Sequence, residues 1–99
     1  MIRTRETSKL QFKQQLTHDD ALAAEIVAMS NSLGGMILLG VKDRTGEIVG
    51  IDLQQDTNER ISNIASTKII PPVYVQTEVL SVGNEGSVKD VLIIHVPAG

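Results

Sequence analysis

With 99 residues, a formal net charge of −3 and no cysteine, the chain has the size of one domain, 1–99, that must close its core without disulfides or thiolate metal sites. Phe12 and Tyr74 are the only aromatics, which argues against a dedicated platform for stacking unpaired bases. The acidic balance excludes a uniformly basic phosphate-binding surface, and the longest apolar run, Met36 to Val41, is far too short to cross a bilayer.

The opening segment Met1–Glu6 lacks the apolar stretch of a signal peptide, so a cytoplasmic location without membrane association is expected. Leu10–Lys13 reads as a short strand with Leu10 and Phe12 on one face and Gln11 and Lys13 on the other. Thr17-His18-Asp19-Asp20 supplies N-cap chemistry and puts acid in a first helical turn, where the helix dipole favours it. Leu22, Ile26, Met29 and Leu33 then recur at helical spacing, with small alanines between them that would let the helix lie close to a sheet. The helix is expected to stop at Asn31-Ser32-Leu33-Gly34-Gly35, with glycine taking the left-handed C-cap.

Met36–Val41 is uninterrupted and apolar, as in a central strand covered on both faces. Lys42–Glu47 is a polar turn, and Ile48–Ile51 reads as the return strand of a hairpin. Asp56 and Glu59 have capping-box spacing before a second helix that carries Ile61, Ile64, Ala65 and Lys68 on one side. Pro71-Pro72 ends that helix. Val73–Leu80 and Val88–Val96 are β-branched and alternate, with turn residues Gly83–Gly86 between them. The expected order is β-α-β-β-α-β-β. Helices mixed with hairpins predict a two-layer α+β fold with a mostly antiparallel sheet and two helices.

The cations are unevenly spread. Arg3, Arg5, Lys9 and Lys13 crowd the first strand region, and Lys42 and Arg44 flank the first turn of the hairpin. If these groups meet, a local basic strip can sit on an acidic body. The plainer reading is that they solvate a strand edge and discourage edge-to-edge pairing. Asn31–Gly35 leaves a helix C-terminus, whose dipole repels anions, and lacks the Lys-Ser/Thr of a phosphate loop, so nucleotide hydrolysis is not expected. His18 and His95 have no partner at metal-ligand spacing.

The ordered set of an alanine-rich helix ending in Asn31-Ser32-Leu33-Gly34-Gly35, the strand Met36–Val41 ending in Gly-Val, an acidic turn at Asp43, and Ile48-Val49-Gly50 resembles the AlbA-like domain of schlafen proteins and of many bacterial transcriptional regulators. Glu6 followed by Gln11-Phe12-Lys13 matches its upstream part, and Ile70-Pro71-Pro72 with a closing strand near Val96-Pro97 matches its downstream part. The resemblance implies a nucleic-acid-binding module, DNA in preference to RNA, often at the N-terminus of a longer regulator. Some schlafen members cleave RNA with a carboxylate cluster and a divalent metal. Carried over, those acids fall on Glu6, position 11 and Asp43, but position 11 is Gln here, a neutral oxygen ligand where a hard metal favours charge. No cofactor is expected, and Glu6 and Asp43 are weak metal candidates only.

The reading is therefore a binding module rather than an enzyme, with Arg5, Lys9, Lys13, Lys42 and Arg44 contacting phosphates and Gln11 beside them. One rival is an interaction module in which Val73–Leu80 and Val88–Val96 offer an apolar face or open edge to a second copy, making a homodimer. The other is a metal nuclease with a degraded carboxylate site.

Overall fold

Strand β1 (Leu10–Lys13) leads into helix α1 (Asp19–Asn31) and strand β2 (Gly35–Leu39), and helix α2 (Thr57–Thr67) precedes the long hairpin of β3 (Gln76–Asn84) and β4 (Ser87–Val96). The computed structural model describes residues 10–15, 18–42, 45–52, 57–84 and 87–98. The strands form one four-stranded sheet in the order β1-β2-β4-β3. β1 runs parallel to β2, joined by the α1 crossover, while β2–β4 and β4–β3 are antiparallel. This is the expected α+β class, with a mostly antiparallel sheet.

Alternation along the strands divides the core in two. Ile37 and Leu39 of β2 and Leu92, Ile94 and Val96 of β4 face the helices and pack with Leu22, Ala23, Ile26 and Met29 of α1 and Ile61, Ile64 and Ala65 of α2. Ala23 is buried against this cluster, whereas Ala24 and Ala28 face outward. The opposite face carries a smaller cluster of Phe12, Leu38, Val41 and Val91, with Leu10, Ile48 and Ile93 packed against it. Four apolar side chains there hold the short β1 onto the sheet. The ladder between β1 and β2 is four residues long.

Two expectations are corrected. The return strand at Ile48–Ile51 is reduced to a single antiparallel bridge between Val41 and Ile48, so the order is β-α-β-α-β-β. The cause is Gly40, which turns the chain out of β2 at φ 100°. Its carbonyl accepts from the amides of both Val49 (2.8 Å) and Gly50 (2.9 Å), and the Ile51 amide reaches across to the Asp90 carbonyl at 2.9 Å. The returning chain is thus bonded to Gly40 and Lys42, beyond the end of β2, and then to β4, and is not laddered along β2.

The second correction concerns the end of α1. Leu33, not glycine, takes the first left-handed position, at φ 77°, and Gly34 follows at φ 83°. The Gly34 amide donates to the Met29 carbonyl at 2.8 Å, the long closing bond of a Schellman motif. Leu33 is therefore exposed and does not continue the buried stripe of Leu22, Ile26 and Met29. At the other end His18 is the N-cap, without a side-chain capping bond, and Asp19 and Asp20 occupy the first turn as expected. The capping box of α2 depends on Asp56, which lies outside the described residues.

Candidate nucleic-acid interface

Parallel pairing sets Gln11 beside Ile37 and Lys13 beside Leu39, so both polar side chains of β1 stand on the helix-covered face. Phe12, between them, points the other way and is buried. The end of β1 is then fastened to the turn after β2. The Lys13 carbonyl accepts from the Gly40 amide at 2.7 Å and from the Val41 amide at 3.1 Å. Lys42 is the next residue. Its amide donates to the Glu47 carbonyl (2.9 Å), and its carbonyl accepts from the Gly46 amide (3.0 Å). Glycine at 46 permits this, with φ 72°. The fold thus brings the backbone of Lys13 and Lys42, remote in sequence, to one end of the sheet.

Both of these lysines have a carboxylate partner. Lys13 Nζ lies 2.7 Å from Glu25 Oε1, with both side chains about 30% exposed. Lys42 Nζ lies 3.7 Å from Glu47 Oε2, in a more exposed pair. Of the remaining expected contacts, Gln11 sits on β1 as described, while Arg5, Lys9 and Arg44, and the weak metal candidates Glu6 and Asp43, lie outside the described residues.

Glu25 is the functional candidate that sequence reasoning passed over. It is the one charged residue in α1 beyond the first turn, and it lies next to the buried Ile26 at the margin of the apolar stripe. A lone acid at that margin is the signal that could have marked it. Its second oxygen, Oε2, is buried and finds no hydrogen-bond partner among the described residues.

Elsewhere, cations serve to join the helices. Arg60 donates to Asp19 Oδ1 from Nε (3.0 Å) and Nη2 (2.6 Å), and Lys68 Nζ lies 3.2 Å from Asp20 Oδ1. Lys68 thus belongs to a surface pair just past the end of α2 and not to its buried side. A cleft of about 300 Å³ lined by Asp19, Arg60, Asn63, Thr67 and Lys68 opens between the helices. Its cations are already matched by the acids of α1. His95 is half-exposed on β4, with Nε2 2.7 Å from Glu78 Oε1 on β3.

A divalent metal does not suit the described donor set. Gln11 offers a neutral amide, and Lys13, two residues on and on the same face, brings a cation close to where anionic oxygen would be needed. Among the described residues no group of three or more His, Asp or Glu is placed to hold a metal.

Fold and site together define a two-layer α+β domain in which an Asn-x-x-Gly-Gly helix exit feeds the central strand and a cation-bearing edge strand is fastened to the turn beyond it. The chain belongs to the Schlafen, AlbA_2 family, whose model matches residues 6–99. It is 31% identical over 77 residues to a protein of Ureaplasma parvum named "Uncharacterized ATP-binding protein UU034", covering 69% of this chain and 22% of that protein. It is similar in structure to the DIP2311 protein from Corynebacterium diphtheriae, with a TM-score of 0.61 and 25% identity, covering 99% of this chain and 22% of the other. The chain therefore spans 22% of the length of each of these two relatives. Among the described residues no helix is long and apolar enough to cross a membrane.

Proposed function

We propose that this domain is a nucleic-acid-binding module of a cytoplasmic transcriptional regulator, contacting the phosphate backbone through Arg5, Lys9, Lys13, Lys42 and Arg44 with Gln11 beside them. The observation that supports it is the pair of bonds from Gly40 and Val41 to the Lys13 carbonyl, which hold the end of β1 against the chain leaving β2, next to Lys42. Family membership supplies the class of ligand. Duplex DNA is favoured over RNA because Phe12 is buried and Tyr74 is the one exposed aromatic, too few to hold splayed-out bases by stacking.

The name of the Ureaplasma relative includes ATP binding. In this chain the Gly34 amide is used to close α1 onto the Met29 carbonyl, and the Ser32 amide is shared between the carbonyls of Ala28 and Met29. Those donors are not offered to a phosphate, and adenine nucleotide is not the ligand proposed.

Replacing Lys13 and Arg44 together with alanine is expected to lower affinity for all duplex sequences alike and to reduce the slope of log K against log salt by about 2, roughly one per lost phosphate contact. An unchanged slope would remove these residues from the interface.

A second reading, self-association, has its own observation. β3 is an open edge among the described residues, with Val79 and Leu80 about half exposed on its two faces. Its single charge, Glu78, is engaged by His95, and β3 carries no lysine or proline of the kind that blunts an edge. Two such strands would pair antiparallel about a two-fold axis. Sedimentation is expected to show a dimer that the Val79→Lys, Leu80→Lys double variant converts to monomer. A monomeric wild-type domain at high concentration would dismiss this reading.

A further inference from the structure

Each lysine that the fold brings to the candidate interface is neutralised by an acid of the same chain, Lys13 by Glu25 and Lys42 by Glu47. We propose that Glu25 is an internal counter-ion for Lys13, which a nucleic-acid phosphate must displace on binding. It thereby sets the affinity of the interface from within the helix layer. This rests on the nucleic-acid reading above, and it concerns how that site is held in check.

Three observations carry it. First, the Glu25–Lys13 contact is short, 2.7 Å, and both side chains are about 70% shielded from solvent, so the attraction is screened less than in an open surface pair. The Lys42–Glu47 pair, at 3.7 Å and with Glu47 62% exposed, is the weaker brake. Second, Lys13 has little freedom to escape Glu25 by moving its backbone, because its carbonyl is bonded to two amides of the turn after β2. The competition must be settled at the ammonium group.

Third, Glu25 is under-bonded among the described residues. Oε1 receives Lys13, but Oε2 is buried with no donor among the described residues. A buried carboxylate oxygen without a donor forfeits its hydration without compensation. If Glu25 rotates outward, Oε2 regains water. That gain partly offsets the loss of the Lys13 contact, so the pair can exchange with an incoming phosphate. A fully bonded carboxylate in the same place would resist exchange, and an exposed one would hardly compete. No covalent bond is made or broken; one phosphate oxygen replaces one carboxylate oxygen at the lysine.

The test measures binding of a short duplex DNA and a short hairpin RNA to the wild-type domain, Glu25→Gln, Glu47→Gln and Glu59→Gln. Each variant removes one negative charge, and Glu59, on the exposed side of α2, controls for the general change in net charge. Glu25→Gln is expected to tighten binding about three- to tenfold, Glu47→Gln about twofold or less, and Glu59→Gln not measurably. In a Lys13→Ala background the effect of Glu25→Gln is expected to vanish. Thermal unfolding of each variant confirms that the folded domain is being compared, and Glu25→Asp, with its shorter reach to Lys13, gives a second reading of the same contact with the charge retained.

If the wild type binds, and Lys13→Ala weakens it, but Glu25→Gln leaves affinity unchanged, the counter-ion role is wrong while the nucleic-acid reading stands. Equal tightening with and without Lys13 also overturns it, because the effect would then be general electrostatics. Absence of binding by the wild type and by every variant defeats the nucleic-acid reading itself, and this inference with it.

Discussion

Gly34→Ala is expected to destabilise the domain by about 3 kcal/mol or more, a large share of the roughly 5–15 kcal/mol available to a domain of ordinary stability. The backbone at Gly34 has φ +83°, and a Cβ there would lie 2.6 Å from the Val96 carbonyl oxygen, 2.8 Å from the Ala98 nitrogen and 3.0 Å from the Pro97 carbonyl carbon. Left-handed backbone alone costs an L-residue about 1–2 kcal/mol. All three contacts are with main chain, which cannot rotate away as a side-chain tip can. Either the exit of α1 or the end of β4 must move, and with it the register of Gly35 opposite Val96 on the central strand pair. Urea denaturation measures this directly. A loss below about 1 kcal/mol would mean that the helix exit and the closing strand are not packed as tightly as described.

Phe12→Ala is expected to cost about 3–5 kcal/mol, the usual range for deleting a fully buried Phe. The consequence is local as well as global. Phe12 is 1% exposed and is the main anchor of β1 in the small cluster with Leu38, Val41 and Val91. Without it, the edge strand keeps its four-residue parallel ladder, the packing of Leu10 and the Lys13–Glu25 pair, but loses its one fully buried side chain. Exchange of the Gly40 and Val41 amides, which donate to the Lys13 carbonyl, is expected to accelerate more than that of the β2–β4 amides. Uniform acceleration across the sheet would show instead that the small cluster and the main core unfold as one.

Much of this architecture was legible from periodicity. Leu10–Lys13 alternates strictly and Leu22, Ile26 and Met29 keep helical spacing, so β1 and α1 were found close to their observed bounds. β3 was less well placed. Val73 and Val75 alternate like strand residues and do pack on the core, yet the ladder begins only at Gln76 and continues through Gly83 to Asn84. Alternation reports which side is buried, and it does not report which residue is the first to find a partner.

The expected hairpin of Met36–Val41 with Ile48–Ile51 fails for a related reason. Gly40 and Gly50 look like ordinary punctuation in sequence. Their positive φ values bend the chain so that bonding converges on one carbonyl instead of running along a ladder. Leu33 misled the assignment of the helix end because leucine rarely takes a left-handed cap. At the candidate interface, alternation showed that Gln11 and Lys13 share one face of β1, but not that this face is the helix-covered one, and Glu25 did not follow at all. Its meeting with Lys13 depends on how α1 crosses over β1, and a pairing set by tertiary packing leaves only a weak trace in local pattern.

The central proposition is that the end of β1 and the turn after β2 form one nucleic-acid-contacting surface. A titration of the isotopically labelled domain with duplex DNA, followed by backbone amide resonances, tests it most directly. The expected result is that shifts concentrate at Gln11, Lys13 and Gly40–Lys42, at Glu25 as its carboxylate is displaced, and fade as salt is raised. Shifts confined to Gln76–Asn84 on the far edge, or none at DNA concentrations well above those of the protein, would contradict it.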